Sequence, residues 1–201
     1  MLCKEMSLDF SADQTLEHAL LRLKEGYFED AVESFTLYLS LEPTNAKAYQ
    51  GRALANFQMK NWPGALSDFQ KAKELEPEDP ENWVGAGMTL AMMNEVYEAI
   101  DIFEGLLKNQ PSYARGHFQL GMLYYKLGVI KKGHEQMDLV LSSRPSLAER
   151  RLAEQVKNEQ LTLDKKRFHR PDFEELRLKN KMSDSVFRQV VNFFKNKFRR
   201  Q

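Results

Sequence analysis

The side chains with which this chain could hold a metal ion or attack a bond are few: His18, His117, His134, His169 and Cys3. A metal held on one helix face needs two ligands about one turn apart. No histidine here stands three or four residues from another histidine or from the cysteine. A thiol nucleophile needs a base beside it, and nothing in MLCKEMSLDF fixes one near Cys3. A single cysteine also excludes an intramolecular disulfide framework and a CxxC zinc site. Neither the phosphate-cradling pattern GxxxxGK[ST] nor the dinucleotide pattern GxGxxG occurs. The chain is therefore expected to be non-enzymatic, with no catalytic, cofactor-binding or metal-binding residue and no small-molecule substrate. What remains is the chemistry of recognition, which depends on apolar and charged side chains held on one face.

The elements that hold them must come from 201 residues, 42% hydrophobic and 29% charged. With 13 Phe and 7 Tyr, the chain is neither collagen-like nor wholly disordered. Basic and acidic side chains number 29 each, but they are unevenly placed. Residues 1–163 hold 17 basic and 24 acidic side chains, and residues 164–201 hold 12 and 5. A basic tail follows an acidic body. No stretch approaches the length of uncharged apolar residues that spans a bilayer, and Lys4, Glu5 and Asp9 interrupt the N-terminus. A cytoplasmic location is the expectation.

The body repeats. Pro43, Pro77, Pro111 and Pro145 stand 34 residues apart, as do Ala31, Ala65, Ala99 and Gly133. The same step links Phe35, Phe69, Phe103 and Met137, and also Ala19, Ala53, Gly87 and Gly121. Four registers with one period mark a repeat architecture. Each unit reads as two helices. In unit two, Asn61 can cap the second helix, with Pro63 in its first turn. Ser11 and Gln14 have the form of a capping box opening unit one. Gly26, Asn94 and Gly128 mark turns between helices. No run alternates with period two, so no strand is expected. The small residues let paired helices approach, and the aromatic four positions on fills the space between units.

These residues resemble the tetratricopeptide repeat family, whose signature is W-x2-L-G-x2-Y, then A-x3-F, then P. Unit four carries Leu120, Gly121 and Tyr124; unit three carries Trp83 and Gly87. Units one to three carry A-x3-F at Ala31/Phe35, Ala65/Phe69 and Ala99/Phe103, and all four end in Pro. The opening aromatic is replaced by Thr15 in unit one and His117 in unit four, where a packing role is expected for the imidazole. His18 and His134 are expected to be partly buried. The resemblance covers residues 12–145. It implies an all-α, right-handed α-solenoid of helix-turn-helix units at 12–45, 46–79, 80–113 and 114–147, after an extension at 1–11. It also implies a concave groove, lined by the first helices, that binds a helix or peptide.

Beyond the repeats, Ser146 and Glu149 form another capping box, opening an expected capping helix over 146–164. Residues 165–201 form a basic segment. In it Phe187, Val190, Val191, Phe194 and Phe198 recur at i, i+3, i+4, i+7 and i+11, which predicts an amphipathic helix. Such a helix can pack back on the repeats, self-associate, meet a partner protein or lie on an anionic membrane surface. Nucleic acid is the least favoured partner, because the charges are not interleaved with a stacking platform.

Partner-binding residues follow from the inward positions implied by the resemblance. They are Leu16 and Leu20 in unit one, and Lys47, Gln50, Leu54 and Phe57 in unit two. Unit three adds Glu81, Val84, Met88 and Met92. Unit four adds Arg115, Phe118, Met122, Tyr125 and Lys126. Apolar side chains in this set would supply affinity, while Lys47, Glu81, Arg115 and Lys126 at the rim would bias orientation. Some tetratricopeptide co-chaperones clamp a chaperone's C-terminal carboxylate with Lys, Asn and Arg. The matching positions here are Leu16, Leu20, Gly51, Glu81 and Gly85, or, one unit on, Gln50, Leu54, Gly85, Arg115 and Gln119, and neither set can build that clamp. The expected function is a protein–protein adaptor or scaffold binding a partner helix or apolar peptide in the groove. Two alternatives are a secretion-type chaperone for a hydrophobic client and a membrane-surface scaffold anchored by the basic C-terminal helix.

Overall fold

The computed structural model describes residues 12–143 and 145–167; the proposed capping box at Ser11 and the C-terminal stripe lie outside them. Nine helices and no strand are present among the described residues. They are α1 (Ala12–Glu25), α2 (Phe28–Leu41), α3 (Ala46–Gln58), α4 (Trp62–Leu75), α5 (Pro80–Met92), α6 (Val96–Asn109), α7 (Ala114–Lys126), α8 (Ile130–Ser142) and α9 (Leu147–Arg167). The first eight pair as four helical hairpins stacked in chain order, the α-solenoid the repeat implies. The compact unit they form ends at Lys157, so α9 starts in this unit and continues beyond it.

Local chemistry sets the helix limits. Asn45, Asn61 and Asp79 cap α3, α4 and α5, their side chains accepting from the backbone N–H of Ala48, Gly64 and Glu81. The Ser146–Glu149 box closes at the start of α9. The Glu149 carboxylate accepts from the Ser146 N–H at 2.9 Å and its hydroxyl at 2.7 Å, and the Glu149 N–H donates back to Ser146 Oγ. The helix it opens reaches Arg167, past the expected limit at 164, because no glycine or proline interrupts the sequence before Pro171. Each hairpin turns on one left-handed residue: Gly26 (φ 85°), Lys60 (φ 60°), Asn94 (φ 67°) and Gly128 (φ 74°). Lys60 is the turn the sequence reading missed. It occupies the same repeat position as the other three, but lysine gives no compositional sign of a left-handed backbone.

Packing follows the small-residue registers. Ala19, Ala31, Ala53, Ala65 and Ala99 are fully buried, and Phe35, Phe69, Phe103 and Met137 fill the space they leave. Burying side chains of this size contributes about 1.5–3 kcal/mol each. The rings also tie one unit to the next. A Cβ on Gly51 would sit 2.3 Å from the Phe35 ring, and one on Gly85 would sit 2.3 Å from the Phe69 ring. Those glycines let the second-helix aromatic of one hairpin press against the first helix of the following hairpin. Polar links cross the same seams. Gln50 Nε2 donates to Asp79 Oδ2 and to Asn82 Oδ1, the latter on a nearly inaccessible side chain.

Candidate binding groove

A 34-residue period places equal repeat positions on equal faces, so the first helices carry side chains in rows. One row is Asp13, Lys47, Glu81 and Arg115; the next is Leu16, Gln50, Val84 and Phe118. A third is Leu20, Leu54, Met88 and Met122, and a fourth is Lys24, Gln58, Met92 and Lys126. Every one of these rows supplies a wall to one hollow of about 390 Å³. It is lined by Gln50, Leu54, Phe57 and Gln58 of α3, by Glu81, Val84, Gly85 and Met88 of α5, by Phe69 and by Arg115. Its lining combines apolar side chains with Gln50, Gln58, Glu81 and Arg115.

Seven of the fifteen sequence-derived residues line this hollow: Gln50, Leu54, Phe57, Glu81, Val84, Met88 and Arg115. Leu20, Leu54, Met92 and Met122 are 40–57% exposed, which leaves apolar surface in water along these rows. Lys47, Glu81, Arg115 and Lys126 are exposed, and Leu16, Gln50, Phe57, Met88 and Phe118 are half-buried. Two residues lie deeper. Val84 is buried and forms part of the floor. Tyr125 is buried under α8, its hydroxyl 2.8 Å from His134 Nδ1 and its ring edge-on to that imidazole. It fills the space beside Gly133, where a Cβ would collide with it. The tail residues Phe187, Val190, Val191, Phe194 and Phe198 lie outside the described residues.

The described histidines do not gather. His117 is buried, with Nε2 donating to the Pro111 carbonyl and Nδ1 2.8 Å from the Gln136 side-chain amide. His18 is exposed, which corrects the expectation of partial burial. Its Nε2 accepts from Arg22 Nε, so its Nδ1–H faces Ser34 Oγ at 3.0 Å in the neutral ring. Among the described residues no group of three or more His, Cys, Asp or Glu could hold a metal ion.

Three features of the site were not read from the sequence. Phe69 and Gly85 together form part of the floor. Arg115 Nη1 donates to Glu81 Oε2 at 2.6 Å, and the Tyr113 hydroxyl donates to Glu81 Oε1 at 2.6 Å. Burial first, and then that bond to the carboxylate, push the Tyr113 phenol well above its ordinary range. The third is α9. Glu149 and Leu152 stand 34 residues beyond Arg115 and Phe118, and with those two residues they line a further hollow of about 420 Å³. The first part of α9 therefore stands where the first helix of a fifth unit would. Hydrogen bonds from Ser146, reinforced by Arg115, lower the Glu149 carboxyl. The period alone could have revealed this, since Glu149 and Leu152 are on it.

No family model matches the chain. A stretch of 86 residues is 37% identical to sperm-associated antigen 1 of Rattus norvegicus, covering 43% of this chain and 10% of that protein. Tetratricopeptide repeat protein 13 of Homo sapiens is 28% identical over 145 residues, 69% of this chain and 17% of that protein. Hsp70-Hsp90 organizing protein 1 of Glycine max is 27% identical over 101 residues, 50% of this chain and 18% of that protein. The matches thus span a tenth to a fifth of these relatives' lengths. Among solved structures, a thermophilic TPR protein of Thermus thermophilus superposes with a TM-score of 0.62 at 18% identity, over 72% of this chain and 80% of that one. MamA from Desulfovibrio magneticus RS-1 gives 0.62 at 19% identity, over 75% and 91%. At such identities the likeness is one of fold.

Proposed function

Since the chain belongs to the tetratricopeptide repeat family, we propose that it is a non-enzymatic adaptor that takes a helix or apolar peptide of another protein into its concave groove. The observation that carries this reading is the row Leu20, Leu54, Met88 and Met122. One large apolar side chain per unit lies along the same face, three of the four at least 40% exposed, beside a hollow of about 390 Å³. Leu20, Leu54 and Met122 of that row are 40–48% exposed, while Met88 packs in part against the core around Phe103. Burial against a partner would gain the hydrophobic stabilisation that solvent exposure forgoes. Methionines in the row suit a surface that adapts its packing to the ligand.

The test is capture of a partner from native lysate by the wild-type chain and by Leu54→Asp and Met88→Asp. Leu54 is exposed enough that its substitution should cost under about 1 kcal/mol of stability. Both variants should keep the helical signal and the cooperative denaturation curve while losing the wild-type partner. Normal capture by both variants would remove the groove as the site.

A further inference from the structure

The two lips of the groove differ in charge. Along one lip the repeat position alternates strictly in sign: Asp13, Lys47, Glu81, Arg115 and, on α9, Glu149. The central members neutralise each other, with Arg115 bonded to Glu81 at 2.6 Å. Along the other lip stand Lys24, Gln58, Met92 and Lys126, with no carboxylate. All four are exposed. Neither Lys24 nor Lys126, nor Lys47 opposite, enters an ion pair among the described residues. The second helices have the opposite character. Helices α2, α4, α6 and α8 together hold ten carboxylates and five lysines. The acidic character of the body is thus carried by the second helices, and unpaired cations flank the apolar row.

Resting on the groove reading above, we propose that the occupant is an acidic amphipathic helix of a partner protein, its carboxylates facing the lip of Lys24 and Lys126. Spacing supports the helix. Packed helices lie about 8–10 Å apart, so the apolar row offers one contact per such step. Every seventh residue of an α-helix advances about 10.5 Å on one face, close to that step. Alternate residues of a strand advance only about 6.7 Å and fall out of register. Charge supports the acidic flank. A carboxylate beside Lys24 or Lys126 gains attraction without breaking an existing ion pair, whereas a cation there meets a like charge. The chain's own segment 183–200 has the apolar stripe but the wrong sign, since residues 164–201 hold 12 basic and 5 acidic side chains.

The experiment uses the full chain and labelled peptides of about three helical heptads. Two peptides share leucines at every seventh residue and differ only in a flank of Glu or of Lys. A third peptide is residues 183–200, and a fourth is an acidic proline-rich peptide. Fluorescence anisotropy should find the Glu peptide about tenfold tighter than its Lys twin at low salt, with the gap shrinking in high salt. The double reversal Lys24→Glu/Lys126→Glu should invert the order, while Met88→Asp should weaken both. Equal affinities for the twins, with Met88→Asp still weakening both, would overturn the acidic assignment and leave the groove in place. Tighter binding of peptide 183–200 would make the occupant this chain's own C-terminal segment, and tighter binding of the proline-rich peptide would overturn the helix. Binding of no peptide, together with normal partner capture by Met88→Asp, would overturn both the occupant and the groove.

Discussion

Gly85 and Tyr124 make the sharpest individual predictions. A methyl group at Gly85 would sit 2.3–2.5 Å from three atoms of the Phe69 ring, which is only 2% exposed. Alanine would gain about 0.5–1 kcal/mol of helix propensity, but displacing a close-packed ring costs typically about 1–3 kcal/mol. Gly85→Ala should therefore be net destabilising by about 1–2 kcal/mol in urea denaturation, and an unchanged midpoint would show that Phe69 moves freely. Tyr124 tests burial through pH. Its phenol is pushed up to about 12, first by desolvation and then by the bond it donates to Glu104. A raised acid favours the folded state fully below the ordinary tyrosine value near 10, and that share is lost as pH climbs toward 12. The wild type should lose about 1 kcal/mol more than Tyr124→Phe between about pH 9 and pH 11, read as urea midpoints. Parallel losses in the two proteins would place the alkaline sensitivity elsewhere.

Among the elements, the hairpin turns separate what was legible in the sequence from what was not. Gly26, Asn94 and Gly128 announce a left-handed turn by residue type, and all three adopt one. Lys60 adopts it too, at φ 60°, because the period demands a turn there whatever side chain it carries. Lys60→Gly should relieve that strain, offset in part by the greater freedom of glycine in the unfolded chain. We expect a stabilisation of several tenths to about 1 kcal/mol, measured by thermal and urea denaturation; a loss of stability would mean the lysine side chain contributes more than its backbone costs. The same contrast holds at the groove. The 34-residue period sets which positions share a row, and the tetratricopeptide resemblance implies which rows face inward, so Leu54, Met88 and Arg115 could be named before the structure. The depth of each side chain could not. Val84 and Tyr125 belong to the same first helices as their exposed neighbours but sink into the floor and under α8, because depth depends on the facing hairpin. The extension of the groove onto α9 was hidden for another reason. The small residue expected of a repeat is absent at Gln155, although Glu149 and Leu152 keep to the period.

Across the whole unit, the alternating row carries one ion pair between hairpins, Arg115 to Glu81, while Lys47 enters none among the described residues. In a solenoid each unit contacts only its neighbours, so stability is a sum of unit and interface terms, and one altered seam is felt by both adjoining units. Glu81 is the central member, accepting from Arg115 and from the Tyr113 hydroxyl. Glu81→Lys would replace alternation with three successive cations at Lys47, position 81 and Arg115. For exposed side chains the cost should be about 1 kcal/mol at low salt. Salt should shrink the electrostatic share as the Debye length falls to about 3 Å near 1 M. The share that comes from the Tyr113 hydroxyl's lost acceptor should persist, and Glu81→Gln, which keeps a carbonyl oxygen for that hydroxyl, should lack it. Urea midpoints of the wild type and both variants at low and high salt separate the two shares. If Glu81→Lys costs the same at both salt concentrations, the alternating row is a by-product of the repeat and contributes nothing to holding the hairpins together.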